Sequence, residues 1–203
     1  MSDKPIVLLG AGGHAKAIAS ILFDLNRTVL CAVDSRVSGV LLDRIPIVPD
    51  LAHIDRAVVE LLIAIGNNQI RKRLASEFAD WAWVRPIIHP SASVDRSVVL
   101  DYGTVVFWQS VIETEVCVGC HAIINSGAHA AHESRIGNYV HLAPGVHLGG
   151  QVVLGDGVFM GLNSCAVPKS TIGEWATIGA GSAVIGNIPA QVTAVGVPCT
   201  RIL

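Results

Sequence analysis

The stretch INSGAHAAHESRIGNYVHLAPGVHLGGQVVL (residues 124–154) carries an apolar residue at every sixth position. The same spacing continues without a break over a much longer part of the chain. Seventeen apolar residues form this first column: Ile88, Val94, Leu100, Val106, Ile112, Val118, Ile124, Ala130, Ile136, Leu142, Leu148, Leu154, Met160, Ala166, Ile172, Ile178 and Val184. A second column of small or β-branched residues lies two positions before the first, from Ala92 to Ser182. Residues two apart on a strand point to the same side, so both columns are predicted to face inward.

This spacing predicts a coil of short strands. Each hexad supplies one strand and a two-residue corner, and three hexads close one triangular coil. Stacked coils would rise by about 4.8 Å each, the spacing of paired strands, and each coil would bury its core against the next. Glycines such as Gly137 and Gly155 directly follow a first-column residue, where a tight turn is expected to begin. The strands of an ordinary β-sandwich do not keep a fixed six-residue period. The pattern itself does not set the hand of the coil.

Residues 1 to about 85 show a different pattern, in which strands alternate with helices. The apolar run Pro5–Leu9 leads into GAGGHA (10–15), a helix follows, and a second strand over Thr28–Val33 ends at Asp34. This G-x-G-x-x-A turn with a later acidic residue has the spacing of a dinucleotide-binding fingerprint. The helix N-terminus would offer free N–H groups to a phosphate. The segment is too short for a complete NAD-binding fold, which favours a single nucleotide. A tight turn without a ligand and an NAD-dependent oxidoreductase are the alternatives.

A second strand-to-helix unit follows within the same part of the chain. A buried strand over Val58–Ile65 precedes a helix that Asn67 or Asn68 is expected to cap. The helix carries the basic run Arg71-Lys72-Arg73. We interpret this run as a solvated helix face, with phosphate contact as the alternative.

The coil region contains a candidate catalytic pair, His132 and Glu133, at a predicted corner. A histidine next to a carboxylate can act as a general base, because its pKa lies near neutrality and the acid can orient the ring. Gly150 lies three hexads after His132 and therefore at the same corner one coil later. A glycine there leaves room above the base and exposes an N–H that could stabilise an oxyanion.

Two metal-site hypotheses also arise from the coil region. His129, His141 and His147 could resemble the three-histidine zinc site of hexapeptide-coil carbonic anhydrases. Cys117 and Cys120 form a CxxC, but no second pair follows, so we interpret them as small repeat residues. Our prediction is therefore a chain without a metal.

Composition narrows the class of protein further. The 203-residue chain has a net charge of −2 and only 15% charged residues, which gives no reason to expect nucleic acid or a membrane as partner. No apolar run approaches the roughly 18 residues of a membrane span. The N-terminal residues do not resemble a signal peptide, and five cysteines are an odd number. We therefore expect a cytoplasmic protein with reduced thiols.

Several segments together resemble the sugar acyltransferase family that includes bacterial nucleotide-sugar N-acetyltransferases and sialic acid O-acetyltransferases. The resemblance covers essentially the whole chain. Its segments are GAGGHA (10–15), AIGNNQIRKR (64–73), HPSA (89–92), INSGAHAAHESRIG (124–137), GLNSCAVP (161–168) and GVP (196–198). It implies an α/β Rossmann-like half domain at residues 1–85, followed at residues 86–203 by a left-handed parallel β-helix with a C-terminal tail. It also implies homotrimers with active sites between subunits.

The resemblance assigns expected roles to individual residues. His132 matches the catalytic base and Glu133 its partner. The expected substrate-binding residues are Gly12, Gly13, His14, Asp34, Asn67, Asn68 and Asn125. The expected acetyl-CoA-binding residues are His141, Gly150, Gly161, Leu162 and Ala180. Ala15 and the corner sequence HES depart modestly from close relatives, and residues 35–47 match poorly.

The implied reaction is acetyl transfer from acetyl-CoA to the amine of a nucleotide-activated amino sugar in bacterial surface glycan biosynthesis. The resemblance is strongest to enzymes that act on UDP-4-amino-4,6-dideoxy sugars. O-acetylation of a sugar such as sialic acid is the alternative within the same family. A nucleotide-binding module with an idle coil is the alternative outside it.

Overall fold

The computed structural model describes residues 4–202. Residues 1–3 and 203 lie outside the described residues. They include the first part of the N-terminal stretch in which the sequence predicted no signal peptide and the last residue of the predicted C-terminal tail. The first part of the chain is a small α/β unit. Its elements are β1 (Ile6–Leu9), α1 (Gly13–Asp24), β2 (Val29–Val33), β3 (Gly39–Leu41), β4 (Ile45–Val48), β5 (Glu60–Ile63) and α2 (Asn68–Glu77).

The five strands form one sheet in the order β3-β4-β2-β1-β5. All neighbouring strands are parallel except the antiparallel pair β3 and β4. Strand β1 is buried along its whole length, as its four consecutive aliphatic residues require in a central parallel strand. The carboxyl ends of β1 and β5 lie side by side, at the point where the order of the strands changes direction. An open parallel sheet typically binds its ligand at such a point.

The rest of the chain is a coil of short strands. In chain order they are β6 (Ile87–Ile88), β7 (Ser93–Val94), β8 (Val99–Leu100), β9 (Val105–Val106), β10 (Val111–Ile112), β11 (Cys117–Val118), β12 (Ile123–Ile124), β13 (His129–Ala130), β14 (Arg135–Ile136), β15 (His141–Leu142), β16 (His147–Leu148), β17 (Val153–Leu154), β18 (Phe159–Met160), β19 (Cys165–Ala166), β20 (Thr171–Ile172), β21 (Thr177–Ile178), β22 (Ala183–Val184), β23 (Thr193–Val195) and β24 (Arg201–Ile202).

These strands stack into three sheets that form the three walls of a prism. The first wall contains β6, β9, β12, β15, β18, β21, β23 and β24, the second β7, β10, β13, β16, β19 and β22, and the third β8, β11, β14, β17 and β20. Every ladder within the prism is parallel except the closing pair of β23 with β24. Paired residues lie three hexads apart, as His129 and His147 do, so the predicted coil length is confirmed.

Both predicted columns form the interior of the prism. First-column residues such as Leu142 and Ile178 are fully buried, and so are second-column residues such as Val140 and Ser134. The aliphatic residues of the two columns form one continuous core along the coil. The fixed period of six therefore predicts directly which residues of each wall face the core and which face outward.

The corners differ from the expectation in one respect. The left-handed residue of a corner lies three positions after the first column, as at Gly127 (φ 66°) and Glu133 (φ 60°). The glycines directly after the first column are needed instead for close approach. A Cβ on Gly137 would lie 2.7 Å from the backbone nitrogen of Asp156 in the next coil. These glycines therefore set how tightly the coils stack, not how they turn.

A shared core joins the α/β unit to the first wall. Ile6, Ile18 and Leu22 pack in one cluster with Phe107 and Ile123 of the coil. The first wall is therefore the one that the α/β unit covers. Within residues 4–202, no helix has the length and apolarity needed to cross a membrane.

Candidate active site

His132 and Glu133 occupy the corner between the second and third walls, after β13 and before β14. The left-handed backbone of Glu133 turns the chain there, and its N–H donates to the Thr114 carbonyl of the coil below at 3.0 Å. The side chains of His132 and Glu133 are about half exposed. The corner thus presents both polar side chains outward, while the neighbouring first-column residues remain in the core.

The imidazole of His132 is oriented by a carboxylate. Its Nδ1 lies 2.9 Å from Glu133 Oε2, and the same oxygen accepts a hydrogen bond from Gln151 Nε2 at 3.0 Å. The bonds from Gln151 and then His132 lower the pKa of Glu133, so this carboxylate is ionised at neutral pH. An ionised carboxylate only accepts, so Nδ1 of neutral His132 carries the proton and Nε2 keeps its lone pair. Nε2 makes no hydrogen bond within residues 4–202, which is the geometry of an available base.

Gly150 lies directly against this ring, as the spacing of three hexads predicted. A Cβ at Gly150 would be 2.5 Å from both Cε1 and Nε2 of His132, so only glycine leaves the ring in place. The Gly150 carbonyl accepts from Lys169, whereas its N–H has no acceptor in the described part of the chain. An unpaired N–H beside a base suits a developing oxyanion.

Glu113, on the coil below His132, was not singled out by the sequence. Its Oε1 lies 2.8 Å from His129 Nε2, and its Oε2 accepts the backbone N–H of His132 at 2.9 Å. The bond with His129 and then the bond with His132 lower the pKa of Glu113. The register contains the one usable signal, because Glu113 lies three hexads before Ala131, the neighbour of His132.

A cavity of about 740 Å³ opens at the carboxyl ends of β1, β2 and β5. The predicted substrate residues Gly12, Gly13, His14 and Asp34 line it together. Gly12 is the N-cap of α1, so the first N–H groups of that helix face the cavity and favour an anion. The Asp34 carboxylate accepts from the Ala11 N–H at 3.3 Å. The glycine-rich turn and the acidic residue thus meet at one site.

Asn67 and Asn68 lie outside the lining of that cavity. Asn67 caps α2, its side chain accepting the Ile70 N–H at 3.0 Å. Asn68 is buried and donates to the carbonyls of Gly157 and Val158 at 3.0 and 3.1 Å. The predicted cap is therefore confirmed at Asn67, while substrate contact by either residue remains a prediction.

The interpretation of residues 71–73 as a solvated face is wrong for Arg71, which is only 1% exposed. Its guanidinium donates to the carbonyls of Tyr139, Gly66 and His121 at 2.7, 2.8 and 3.0 Å. Burial lowers its pKa to about 9, so it is still charged at neutral pH. Successive helical residues point about 100° apart. Lys72 consequently points elsewhere, with its ammonium 4.9 Å from the centre of the Trp175 ring. Arg73 lines the cavity at the carboxyl ends of β1, β2 and β5.

Two histidines adjoin Arg71, the half-buried His14 and the buried His141. His14 stacks on Phe107 at 5.5 Å and lies 6.2 Å from His141, measured between ring centroids. His141 Nδ1 lies 3.2 Å from the Gly66 carbonyl, which can only accept, so Nδ1 carries the proton. Its Nε2 then accepts from Asn125 Nδ2, also at 3.2 Å. Burial, and then the nearby Arg71 charge, lowers the pKa of His14 to about 4 and that of His141 to about 3. Both rings are uncharged at neutral pH.

The candidate residues do not converge on one side of the chain. His14, Asn125 and His141 lie at the first wall, under the α/β unit, whereas the His132 corner separates the other two walls. The predicted acetyl-CoA residues fall in three places: His141 on the first wall, Gly150 beside His132, and the remaining three at another corner. Gly161, Leu162 and Ala180 lie at the corner between the first and second walls. A Cβ on Gly161 would lie 2.6 Å from the Ala180 backbone nitrogen, and Leu162 is 53% exposed.

The three histidines of the zinc hypothesis also point to different partners. His129 pairs with Glu113, and its ring lies 5.8 Å from that of His147. His141 lies on the first wall instead of the second and faces the α/β unit. Among residues 4–202, no group of three or more His, Cys, Asp or Glu side chains is arranged to hold a metal ion. Cys117 lies in β11 and Cys120 in the corner that follows it, and neither forms a disulfide.

The coil and the α/β unit together define a left-handed β-helix protein with an N-terminal α/β part, which confirms the predicted fold. The chain belongs to the sugar acyltransferase family of hexapeptide-repeat proteins. Residues 5–78 match the model of the PglD N-terminal domain. The structure of PerB from Caulobacter crescentus, solved with CoA and GDP-perosamine, is 34% identical with a TM-score of 0.92, over 98% of this chain and 97% of that one.

Two further relatives agree with this assignment. The acetyltransferase domain of PglB from Neisseria gonorrhoeae is 27% identical with a TM-score of 0.93, over 98% of this chain and 99% of that one. GDP-perosamine N-acetyltransferase of Escherichia coli O157:H7 is 33% identical over 144 residues, 67% of this chain and 64% of that protein. The chain spans less than two thirds of the length of the curated relatives that it matches.

Proposed function

We propose that this protein is an acetyl-CoA-dependent N-acetyltransferase that acts on the amine of a nucleotide-activated amino sugar in bacterial surface glycan biosynthesis. Residues 1–85 would bind the nucleotide sugar, and residues 86–203 would supply the acetyl-transfer site. The observation that carries the proposal is the His132 corner. There Glu133 holds Nδ1, Nε2 is open, and the Gly150 N–H lies unpaired beside the ring.

The proposed reaction is a direct attack. His132 Nε2 accepts a proton from the sugar amine as the nitrogen adds to the thioester carbonyl of acetyl-CoA. Glu133 stabilises the resulting imidazolium, and the Gly150 N–H stabilises the oxyanion. Collapse of the tetrahedral intermediate breaks the carbon–sulfur bond, and the CoA thiolate takes up the proton. Acetyl-CoA and the nucleotide sugar are the two substrates, and no step needs a metal or an acyl-enzyme.

An amine acceptor is favoured over a hydroxyl by the uncharged histidines beside the cavity. The attacking nitrogen becomes positively charged as it adds to a carbonyl, and a charge on either ring would add to that of Arg71 in opposing it. His14 and His141 are kept uncharged by burial and by Arg71. The Nε2 of His14 is buried without a hydrogen-bond partner among the described residues, so it is available to an amine N–H.

We propose a homotrimer because each chain keeps the two halves of the site apart. In a trimer, the His132 corner of one subunit can approach the cavity of its neighbour, with acetyl-CoA between them. Exposed apolar side chains on the two walls that flank the corner support this packing: Val99 and Val153 on the third wall and Val111 on the second. The unpaired cysteines support the predicted cytoplasmic location.

The test of the reaction is thiol release from acetyl-CoA with UDP-, dTDP- and GDP-linked 4-amino sugars. Matched hydroxyl sugars serve as controls. His132→Ala should lower turnover by roughly 10²- to 10⁴-fold, the usual contribution of a general base, with the melting temperature unchanged because a corner is not core. Near-normal turnover of folded His132→Ala would refute the assignment. Stabilisation by NAD but not by acetyl-CoA would favour an oxidoreductase.

Subunit mixing tests the shared site. His132→Ala and His14→Ala chains are each expected to be inactive, since each lacks one half of the site. The two variants are mixed in equal amounts. If neighbours share a site, about one quarter of the interfaces then combine an intact His132 with an intact His14 and regain activity. Sedimentation equilibrium should give the mass of three chains. Monomers, or mixed trimers without activity, would contradict the shared site.

A further inference from the structure

The carboxylate of Glu113 bridges two positions on the coil above it. One oxygen contacts the His129 ring at 2.8 Å, near the beginning of the hexad, and the other accepts the His132 backbone N–H at 2.9 Å, at its corner. We propose that Glu113, held by His129, is a positioning residue that sets the orientation of the catalytic base His132. This inference rests on the proposed function.

The corners of this coil commonly use side chains to hold a backbone N–H from a neighbouring coil. Ser97 Oγ accepts the Glu115 N–H at 2.8 Å, and Asn138 Oδ1 accepts the Cys120 N–H at 2.9 Å. At the His132 corner the acceptor is a carboxylate, as it is at Asn138, whose N–H donates to Asp156, and the His129 ring orients it. A hydrogen bond to an ionised acceptor is stronger than one to a neutral acceptor, so Glu113 holds the backbone more firmly than a neutral acceptor such as Ser97 does.

Two carboxylates therefore act on His132 in different ways. Glu133 orients the ring through Nδ1, and Gln151 from the coil above holds Glu133. Glu113 from the coil below holds the backbone from which the ring projects. Without Glu113 the corner can rotate, and Nε2 then leaves its place beside Gly150. A displacement of about 1 Å in a reacting group can reduce turnover by about 100-fold.

The bridging form of Glu113 is the form present at neutral pH. The bond with His129 lowers the pKa of this carboxylate most, and the bond with the His132 N–H lowers it further. Its side chain is 38% exposed and that of His129 is 32% exposed, so water can replace the bridge without unfolding the coil. Loss of the bridge should therefore affect turnover more than stability.

The experiment compares Glu113→Ala, Glu113→Gln and a control, Asp95→Asn, by thiol release and thermal unfolding. Glu113→Ala should lower kcat by about 10- to 100-fold and leave both KM values within about twofold. Glu113→Gln should regain most of that loss, since an amide can accept the His132 N–H and donate to His129. Asp95 lies one coil below Glu113, at the same corner, but its carboxylate accepts from Ser97 instead, so its variant should match the wild type.

A double variant separates positioning from a general structural role. If Glu113 acts through His132, Glu113→Ala should cause no further loss in a His132→Ala background. The inference would be overturned if the double variant showed the product of the two single losses in kcat. A wild-type kcat in Glu113→Ala, or a change confined to KM, would also overturn it. If Glu113→Ala does not fold, Glu113→Asp decides, because this shorter carboxylate cannot span both partners and should lower kcat at least about threefold. An active His132→Ala would instead refute the proposed function itself.

Discussion

Replacement of Gly150 by alanine tests the stacked geometry of the proposed active site. The backbone there is not left-handed, so alanine imposes no strain of its own. Its Cβ would lie 2.5 Å from two atoms of the His132 ring, whereas ordinary contacts begin at 3.4 Å. The ring must therefore move by about 0.9 Å, a shift comparable to one that reduces turnover by about 100-fold. The alanine keeps the N–H, so the expected loss comes from displacement of the base.

The stability of this variant should hardly change. The His132 side chain is 51% exposed and can swing outward, so unfolding free energy should fall by less than about 1 kcal/mol. Gly186→Ala is the matched control, because Gly186 belongs to the same corner two coils later and a Cβ there meets nothing within 4 Å. Thiol release at saturating acetyl-CoA and thermal unfolding provide the two readouts. A folded Gly150→Ala with turnover within about threefold of wild type would refute the placement of the base.

Two further predictions concern the junction under the α/β unit. Arg71→Met should lower the unfolding free energy by about 3–5 kcal/mol, because buried carbonyls, among them those of Tyr139 and Gly66, lose a charged donor. Urea titration measures this, and a loss below about 1 kcal/mol would contradict it. Stability should also fall as pH drops from about 6.5 to 4, since the unfolded chain protonates His14 and His141 there while the folded chain does not. Each ring contributes up to about 1.4 kcal/mol per pH unit, so His141→Asn should flatten the slope, and equal slopes would contradict this origin.

The repeat could be interpreted from the sequence because its rule is local. A fixed period of six assigns every residue of the coil to the inside, to a wall or to a corner. A period of three hexads then identifies the residues that stack on it in the coils above and below. This is why the corner position of His132 and the stacking of Gly150 upon it were predictable. Glu113 could have been found by the same rule, because it lies one coil below the residue next to the base.

The docking of helix α2 could not be predicted in this way. Arg71 is buried because the helix lies against the coil, and its partners His121 and Tyr139 are 50 and 68 residues away in the chain. The same docking takes Asn68 to Gly157, 89 residues away. No local pattern distinguishes a basic residue that faces solvent from one that faces carbonyls across a domain junction.

The sequence by itself determined the prism, the glycine-rich turn at the first helix and the His132 corner, because each depends on spacing along the chain. Only the tertiary structure decided which wall the α/β unit covers, and hence that the cavity with His14 and the His132 corner lie on different sides of one chain. It also decided that Arg71 is an internal cation, and that burial together with this charge keeps two histidines uncharged. These features depend on how two separately patterned parts pack together, and the period of neither part encodes that packing.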